Sequence, residues 1–278
     1  MSPAPPEPRR AAQSAFTDSR QRTSATESSQ GPLDLSVIIP AYNEEKRLPP
    51  TLARIEDYLS ARPYSAEILV VDDGSHDTTA QIVQNWQTRA VRLRLVSNGR
   101  NRGKGYSVRH GMLEATGDVA LFTDADLSAP IEEADKLLAA LENCDIAIGS
   151  RALDRNLIQV HQSGLREMAG RSFNWSVRAL VAVPFADTQC GFKAFRRART
   201  RILFEQQRIE GFGFDPELLF LAQHHGLKVI EVPVHWSHDP GTRVHVVRDG
   251  LRMFGDLIVI RWNSVVGRYP VSAMPPGK

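Results

Sequence analysis

The chain has 278 residues, 42% of them hydrophobic and 24% charged, with a formal net charge of +2. That is ordinary globular composition, enough for one large α/β domain, and the balanced charge argues against nucleic acid as a partner. Two cysteines, Cys144 and Cys190, exclude a disulfide framework and a cysteine-based zinc cluster, and they fit a reducing compartment as small hydrophobes.

Residues 1–32 are rich in Pro, Ser, Ala, Gln and Arg, almost without large apolar side chains, and read as a disordered tail. They lack the basic-then-apolar pattern of a secretory signal, and their arginines have no apolar face to make a transit peptide. Folding is expected to begin at Leu33. Leu35 to Pro40 (LSVIIP) has the continuous apolar, β-branched character of a strand buried on both faces, and a polar turn, AYNEE, ends it. Leu48, Leu52, Ile55 and Leu59 recur at helical spacing behind Pro49 and Pro50, which suit a first turn.

A second buried strand, Glu67 to Val71, runs into DDGSHDTT, where Asp77 is a candidate N-cap for a helix carrying Ile82, Val83 and Trp86. Val91, Leu93 and Leu95 alternate with arginines, which predicts a third strand near an edge. The turn NRGKG then leads into a helix around Val108 to Ala115. A fourth strand, Asp118 to Thr123, ends in DAD, and a helix (Ile131 to Leu141) and a strand (Asp145 to Gly149) follow. This alternation predicts an α/β fold with a mainly parallel, doubly wound sheet, helices on both faces and ligand sites beyond the carboxyl ends of the strands. YNE, DDGS, NRGK, DAD and GSR all fall at such ends, so the sheet is expected to gather them on one rim.

Later segments are less regular. A helix is expected over Leu165 to Val183, a turn and short strand in DTQCGFKAF, a glycine-closed helix in FDPELLFLAQHHG and a strand in KVIEVPVHW. Between Val244 and Gly267, Met253, Phe254, Leu257, Ile258, Ile260, Trp262 and Val265 alternate with Arg248, Arg252 and Arg261. That stretch is too charged to span a bilayer; it suits either a helix on a membrane surface or one packed on the domain. No window elsewhere reaches the roughly 18 consecutive apolar residues of a spanning helix. The expected organisation is therefore a tail (1–32), a catalytic domain (33–243) and an amphipathic C-terminal segment (244–278).

Each motif carries a chemical reading beside a plainer one. Asp124 and Asp126 follow a buried strand and offer two hard oxygen donors to Mg2+ or Mn2+, or else cap a turn. Asp72 and Asp73 can accept from a base N–H or a ribose hydroxyl, or form an Asx turn. Lys104, between two glycines, suits a phosphate, or is a solvated turn lysine. His161, His224, His225, His235, His238 and His245 form no H-x-x-x-H spacing and read as structural or surface residues.

VIIPAYNEEKRLP, VVDDGSHDTT, NRGKG, DAD, GSR and DTQCGFKAF, in this order, resemble a family 2 glycosyltransferase with a GT-A fold. The dolichyl-phosphate β-glucosyltransferase group is the most similar, and dolichyl-phosphate mannosyltransferases come next. The resemblance spans Leu33 to Tyr269. It implies that Pro40, Ala41, Tyr42, Glu44, Asp72 and Asp73 hold the base and ribose of a nucleotide-sugar, with Lys104 nearby. Asp124, Ala125 and Asp126 would meet ribose and metal, Asp126 as the principal ligand. In mannosyltransferase relatives a glutamine two residues beyond the second aspartate assists the metal, but Ser128 stands there in this chain. Arg151 and Arg171 would grip the acceptor phosphate, and Lys193 and Arg243 would bracket the phosphates. Asp215 and Glu217 match an acidic segment near the site.

The implied activity is inverting transfer of a hexose, most simply glucose from UDP-glucose, to a polyprenyl or dolichyl phosphate. The enzyme would be peripheral on the cytoplasmic face of a membrane. GDP-mannose is the alternative donor. A Rossmann dehydrogenase lacks its G-x-G-x-x-G after the first strand, and a non-catalytic nucleotide-binding protein would not need DAD, Lys104 and the basic cluster together.

Overall fold

The computed structural model describes residues 33–88, 91–160, 164–237 and 246–271. The tail over 1–32 lies outside them, as does Arg243. A seven-stranded sheet organises the molecule. It contains β1 (Leu35–Ala41), β2 (Ala66–Asp72), β3 (Arg92–Ser97), β4 (Val119–Thr123), β5 (Ile146–Ser150), β7 (Phe192–Arg196) and β8 (Val229–Pro233), in the order β3-β2-β1-β4-β7-β5-β8. Two short strands, β6 (Ile158–Val160) and β9 (Trp236–Ser237), pair separately. β3 is an edge strand, as its alternating arginines predict.

All pairings in the large sheet are parallel except those of β7, which runs antiparallel to both β4 and β5. This reversal positions the site. The rim beyond the carboxyl ends of β4 and β5 receives the loop that precedes β7, because Thr123 pairs with Phe192. DTQCG therefore meets DAD, although more than sixty residues separate them.

Period-two alternation divides the sheet between two cores. Val37, Ile39 and Val70 face one layer, with α1 (Leu48–Ser60), α2 (Thr79–Asn85) and α4 (Ala134–Ala140). Ile38, Leu69 and Phe122 face the other, with α3 (Lys104–Glu114), α5 (Gly164–Val181), α6 (Arg197–Gln206), α7 (Phe214–His224) and α8 (Val246–Val265). In α1, Leu48, Leu52 and Ile55 are fully buried and Leu59 nearly so. Each such side chain contributes roughly 1.5–3 kcal/mol of burial, so the helix is held by this stripe rather than by a cap.

Three local expectations shift. The first residue of α2 is Thr79, and Asp77 accepts from its backbone N–H (2.9 Å) and hydroxyl (2.5 Å), so Asp77 supports the helix start from one residue farther back. The helix expected over Ile131 to Leu141 opens with a 3-10 turn (Ile131–Glu133) before α4. KVIEVPVHW divides into β8 and β9, separated where His235 turns to Glu133 through its backbone N–H and imidazole. α8 joins the main body: Leu257, Ile260 and Asn263 are buried, and Tyr269 just beyond it donates to Glu217 at 2.6 Å.

Candidate active site

Two loops form one half of the rim. After β1, Asn43 and Glu44 donate their backbone N–H groups to Ser75 Oγ (2.8 Å) in the loop after β2 and to Thr79 Oγ1 (2.7 Å) at the start of α2, and His76 N–H returns a bond to Asn43 Oδ1 (2.7 Å). Tyr42 meets His76 edge to face. Asn43 takes left-handed backbone (φ 53) to make this turn. Pro40, Ala41 and Tyr42 thus lie beside Asp72 and Asp73, and Asp73 N–H donates to Ala41 O at 2.8 Å.

The two aspartates differ. Asp72 accepts from Ser75 N–H (3.1 Å). Asp73 accepts from Asn98 Nδ2 (2.8 Å), Arg102 N–H (2.9 Å) and Gly103 N–H (2.8 Å), so it ties the NRGKG turn to the sheet. Gly103 sits at φ 106, a backbone region closed to side chains, and it starts α3. That start places Lys104 in the first helical position. Glu44 is also engaged: Arg47 holds it with two charge-assisted bonds of 2.6 and 2.7 Å.

The other half of the rim is a charge network around DAD. Lys104 Nζ lies 2.6 Å from Asp124 Oδ1. Asp124 also rests against Gly191, where any Cβ would collide with its carboxylate. Asp126 accepts from the Ser128 backbone N–H at 2.9 Å, and Arg47 approaches it at 4.0 Å. Leu127 turns the chain there with φ 46. Burial first, and then the neighbouring Asp124, push the Asp126 carboxyl above its ordinary range. Burial alone would lower Lys104, but Asp124 and then Asp215 outweigh it and hold the ammonium above its usual value.

Arg151 grips Asp187 bidentately, at 2.6 and 2.8 Å, and its own N–H donates to the same carboxylate at 3.0 Å. Burial opposes ionisation of Asp187, yet Arg151 prevails and holds it down at about 2. Glu231 fixes Asp187 in turn by accepting its N–H and that of Ala186. The Arg151 guanidinium lies 5.3 Å from the Trp236 ring centroid. Lys193 points into the sheet's second core. It is fully buried, 2.5 Å from Asp215 Oδ1 and 2.6 Å from Cys190 O. Burial drives the Cys190 thiol up to about 12, so it is inert.

The structure thus brings Lys104, Asp124, Asp126, Arg151 and Lys193 into one electrostatic neighbourhood, in which Lys104, Arg151 and Asp215 all feel Asp124. Arg171 lies on α5, but its side chain is outside the described residues, as is the whole of Arg243. Glu217 accepts from Arg208 N–H, Ile209 N–H and the Tyr269 hydroxyl, which assigns it to anchoring the chain before α7.

The glycosyl transferase family 2 model matches residues 36–197, from β1 through β7. The chain belongs to glycosyltransferase family 2. Dolichyl-phosphate β-glucosyltransferases are similar along most of its length. That of Drosophila melanogaster is 37% identical over 256 residues (87% of this chain, 78% of the relative). The human one is 33% identical over 250 residues (84% and 77%), and that of Saccharomyces cerevisiae is 32% identical over 257 residues (84% and 76%). Among solved structures, mannosyl-3-phosphoglycerate synthase from Rubrobacter xylanophilus shares the GT-A fold with a TM-score of 0.63 at 18% identity, covering 88% of this chain and 79% of that one. Glucosyl-3-phosphoglycerate synthase from Mycobacterium tuberculosis, in complex with Mn2+, UDP and glucosyl-3-phosphoglycerate, superposes with a TM-score of 0.57 at 19% identity (88% and 83%). The chain is a glycosyltransferase.

In this family 2 chain, the donor set of DAD suits a hard divalent cation. Two carboxylates follow one strand end, and burial, then the charge of Asp124, raises the Asp126 carboxyl, a setting that a cation would relieve. No group of three or more His, Cys, Asp or Glu side chains able to hold an ion occurs among the described residues. Diphosphate oxygens would complete the coordination, as small hard cations prefer. Ser128 serves Asp126 through its backbone N–H. Three participants escaped the sequence reading although the quoted motifs contained them: Arg47 of EEKR, Asp187 of DTQ and Gly191 of CGF. A fourth, Glu231, lay in an unremarkable strand.

Proposed function

We propose that the enzyme transfers glucose from UDP-glucose to a dolichyl or other polyprenyl phosphate, with inversion at the anomeric carbon. The observation that carries this reading is the identity to dolichyl-phosphate β-glucosyltransferases, sustained over more than four-fifths of the chain. In this reading Pro40, Ala41, Tyr42 and Asp72 receive base and ribose, and Asp73 shapes the loop that presents Lys104. Asp124 and Asp126 form the seat of Mg2+ or Mn2+, which neutralises charge on the departing diphosphate when bound, and Ala125 between them faces the nucleotide-sugar. Arg151, held rigid by Asp187, orients the acceptor phosphate; by resemblance Arg171 is assigned to the same anion and Arg243 to bracketing the phosphates. Lys193 braces the floor through Asp215.

A phosphate monoester with a second pKa near 6 is already largely ionised at pH 7. It needs orientation beside another anion rather than a base, and fixed cations supply that. The test is a donor screen with purified protein and a short polyprenyl phosphate, reading product mass and anomeric configuration. UDP-glucose giving a β-linked product supports the proposal; exclusive use of GDP-mannose would replace the donor, and transfer only to a water-soluble acceptor would remove the lipid.

The acceptor also motivates peripheral contact with the cytoplasmic face of a membrane. No helix among the described residues is long and apolar enough to cross a bilayer. α8 exposes Leu251, Phe254, Ile258, Trp262 and Val265 along one run, flanked by exposed Arg252, Arg261 and Arg268. An apolar stripe with cationic borders suits an anionic bilayer surface. The double substitution Ile258→Glu with Trp262→Glu should reduce sedimentation with phosphatidylserine vesicles at least about tenfold, since each buried apolar side chain is worth roughly 1.5–3 kcal/mol. Unchanged sedimentation would assign that face elsewhere.

A further inference from the structure

We infer that Lys104 competes with a divalent cation for Asp124, so that Lys104 makes cation binding depend on the donor diphosphate. The inference rests on the metal reading of Asp124 and Asp126 above. Three features carry it. Lys104 Nζ sits on Asp124 Oδ1 at 2.6 Å, the distance of a strong charge-assisted bond. The backbone at Gly191 lies so close to the same carboxylate that no Cβ would fit between them, which closes that side to it. Lys104 itself is presented from the first position of α3, whose start Asp73 fixes through Arg102 and Gly103. Both members of the pair are therefore held in place from behind.

Lys104 holds Oδ1 of Asp124 and the Gly191 backbone lies nearest Oδ2, so a divalent cation that takes this carboxylate meets the ammonium at close range and repels it. A cation taking Asp124 must expel Lys104 into a half-buried space where its remaining neighbours, Asp215 and Asp126, are already committed to Lys193 and to the cation. A diphosphate removes that penalty, since it offers the freed ammonium new anionic oxygens. Cation and diphosphate then favour each other, and the coupling is reciprocal. Arg47 does not play this part for Asp126: it stands 4.0 Å away and is already held by Glu44 with two bonds.

The experiment uses the full chain and reads binding, not turnover. Mn2+ binding is followed by the loss of the free-ion electron paramagnetic resonance signal, for wild type and Lys104→Met, with and without UDP; UDP affinity is measured calorimetrically. Lys104→Met is expected to bind Mn2+ alone about tenfold more tightly, the factor that corresponds to about 1.4 kcal/mol, and UDP with Mn2+ about tenfold more weakly. Equal or weaker binding of Mn2+ alone by the variant overturns the inference. The wild type gives a second reading that does not depend on the variant folding. Amine-reactive labelling of Lys104, quantified by mass spectrometry, should rise with Mg2+ alone and fall when UDP joins it. Labelling indifferent to Mg2+ overturns the inference, whereas a wild type that binds neither Mn2+ nor UDP overturns the donor site itself.

Discussion

Lys193→Met separates a buried brace from a phosphate contact. Lys193 is fully buried, and its ammonium meets Asp215 at 2.5 Å and Cys190 O at 2.6 Å. Methionine fills nearly the same volume, so the substitution removes charge rather than packing. It leaves Asp215 buried beside Asp124 with its strongest partner gone, and breaking one side of a buried pair costs about 3–5 kcal/mol. For a domain of this size that is a fall in Tm of roughly 6–20 °C. Replacing both partners, Lys193→Met with Asp215→Leu, should recover most of the loss, because two apolar groups leave no orphaned charge.

The pH dependence has a definite sign. Burial raises the Asp215 carboxyl above its ordinary range, and Lys193 pulls it partway back. Without Lys193 the folded-state value rises further above the unfolded one, so the ionised carboxylate opposes folding at neutral and alkaline pH. That opposition fades as pH falls through the folded-state value and the group takes a proton. The deficit of the single variant, measured by urea unfolding, should therefore be largest near pH 8 and shrink towards pH 5. A deficit below about 1 kcal/mol, the range of an exposed pair, together with weakened UDP binding, would refute the brace and return Lys193 to the phosphates.

Other substitutions probe the rest of the rim. Asp126→Ala should lower metal-dependent transfer by at least about 10³-fold, reflecting several kcal/mol of lost charge stabilisation, while circular dichroism stays native; near-normal turnover would remove Asp126 from the metal site. Gly191→Ala drives a Cβ into Asp124, and a displacement of the order of 1 Å should cost about 10²-fold in kcat, measured with saturating UDP-glucose. Asp187→Asn should lose about 2 kcal/mol of stability at neutral pH, the worth of a buried carboxyl held at about 2. Because that group is depressed, its contribution is present above the ordinary carboxylate range and disappears as pH falls from about 4 towards 2; a variant deficit that stays constant through that window contradicts the pairing.

Much of this architecture is legible in the chain because burial on both faces of a parallel sheet leaves unbroken apolar runs, and each run stops where its polar loop begins. LSVIIP, EILVV and DVALFT locate β1, β2 and β4 within a residue or two, and the rim motifs follow from topology. β7 resists such reading: FKAF has no feature of its own that announces an antiparallel strand between two parallel ones. Yet that reversal brings Gly191 to Asp124, and it turns Lys193, opposite Phe122, into the core instead of out to the ligand. The roles of Asp73 and Glu217 were equally hidden, because each is defined by backbone N–H groups that only the folded chain assembles. Partnerships across long separations, such as Arg151 with Asp187, leave no periodic trace.

The same partnerships bear on the chemistry. A sugar hydroxyl acceptor would call for a carboxylate or imidazole ready to accept its proton. Among the described residues around this rim, Glu44 is held by Arg47, Asp72 by the Ser75 N–H, Asp73 by three donors, Asp187 by Arg151, Asp215 by Lys193 and Glu217 by two N–H groups and a hydroxyl. Asp124 is bound by Lys104, and we assign Asp126 with it to the proposed cation seat. Recruiting any of the first six as a base would break an ion pair or strip a buried anion of its donors. An acceptor that arrives already ionised avoids that cost, and for it the decisive residues are the cations that draw two anions together. Lys104, on Asp124, and Arg151, within reach of the same charge, are cations of that kind, and they favour such an acceptor independently of the names of the relatives.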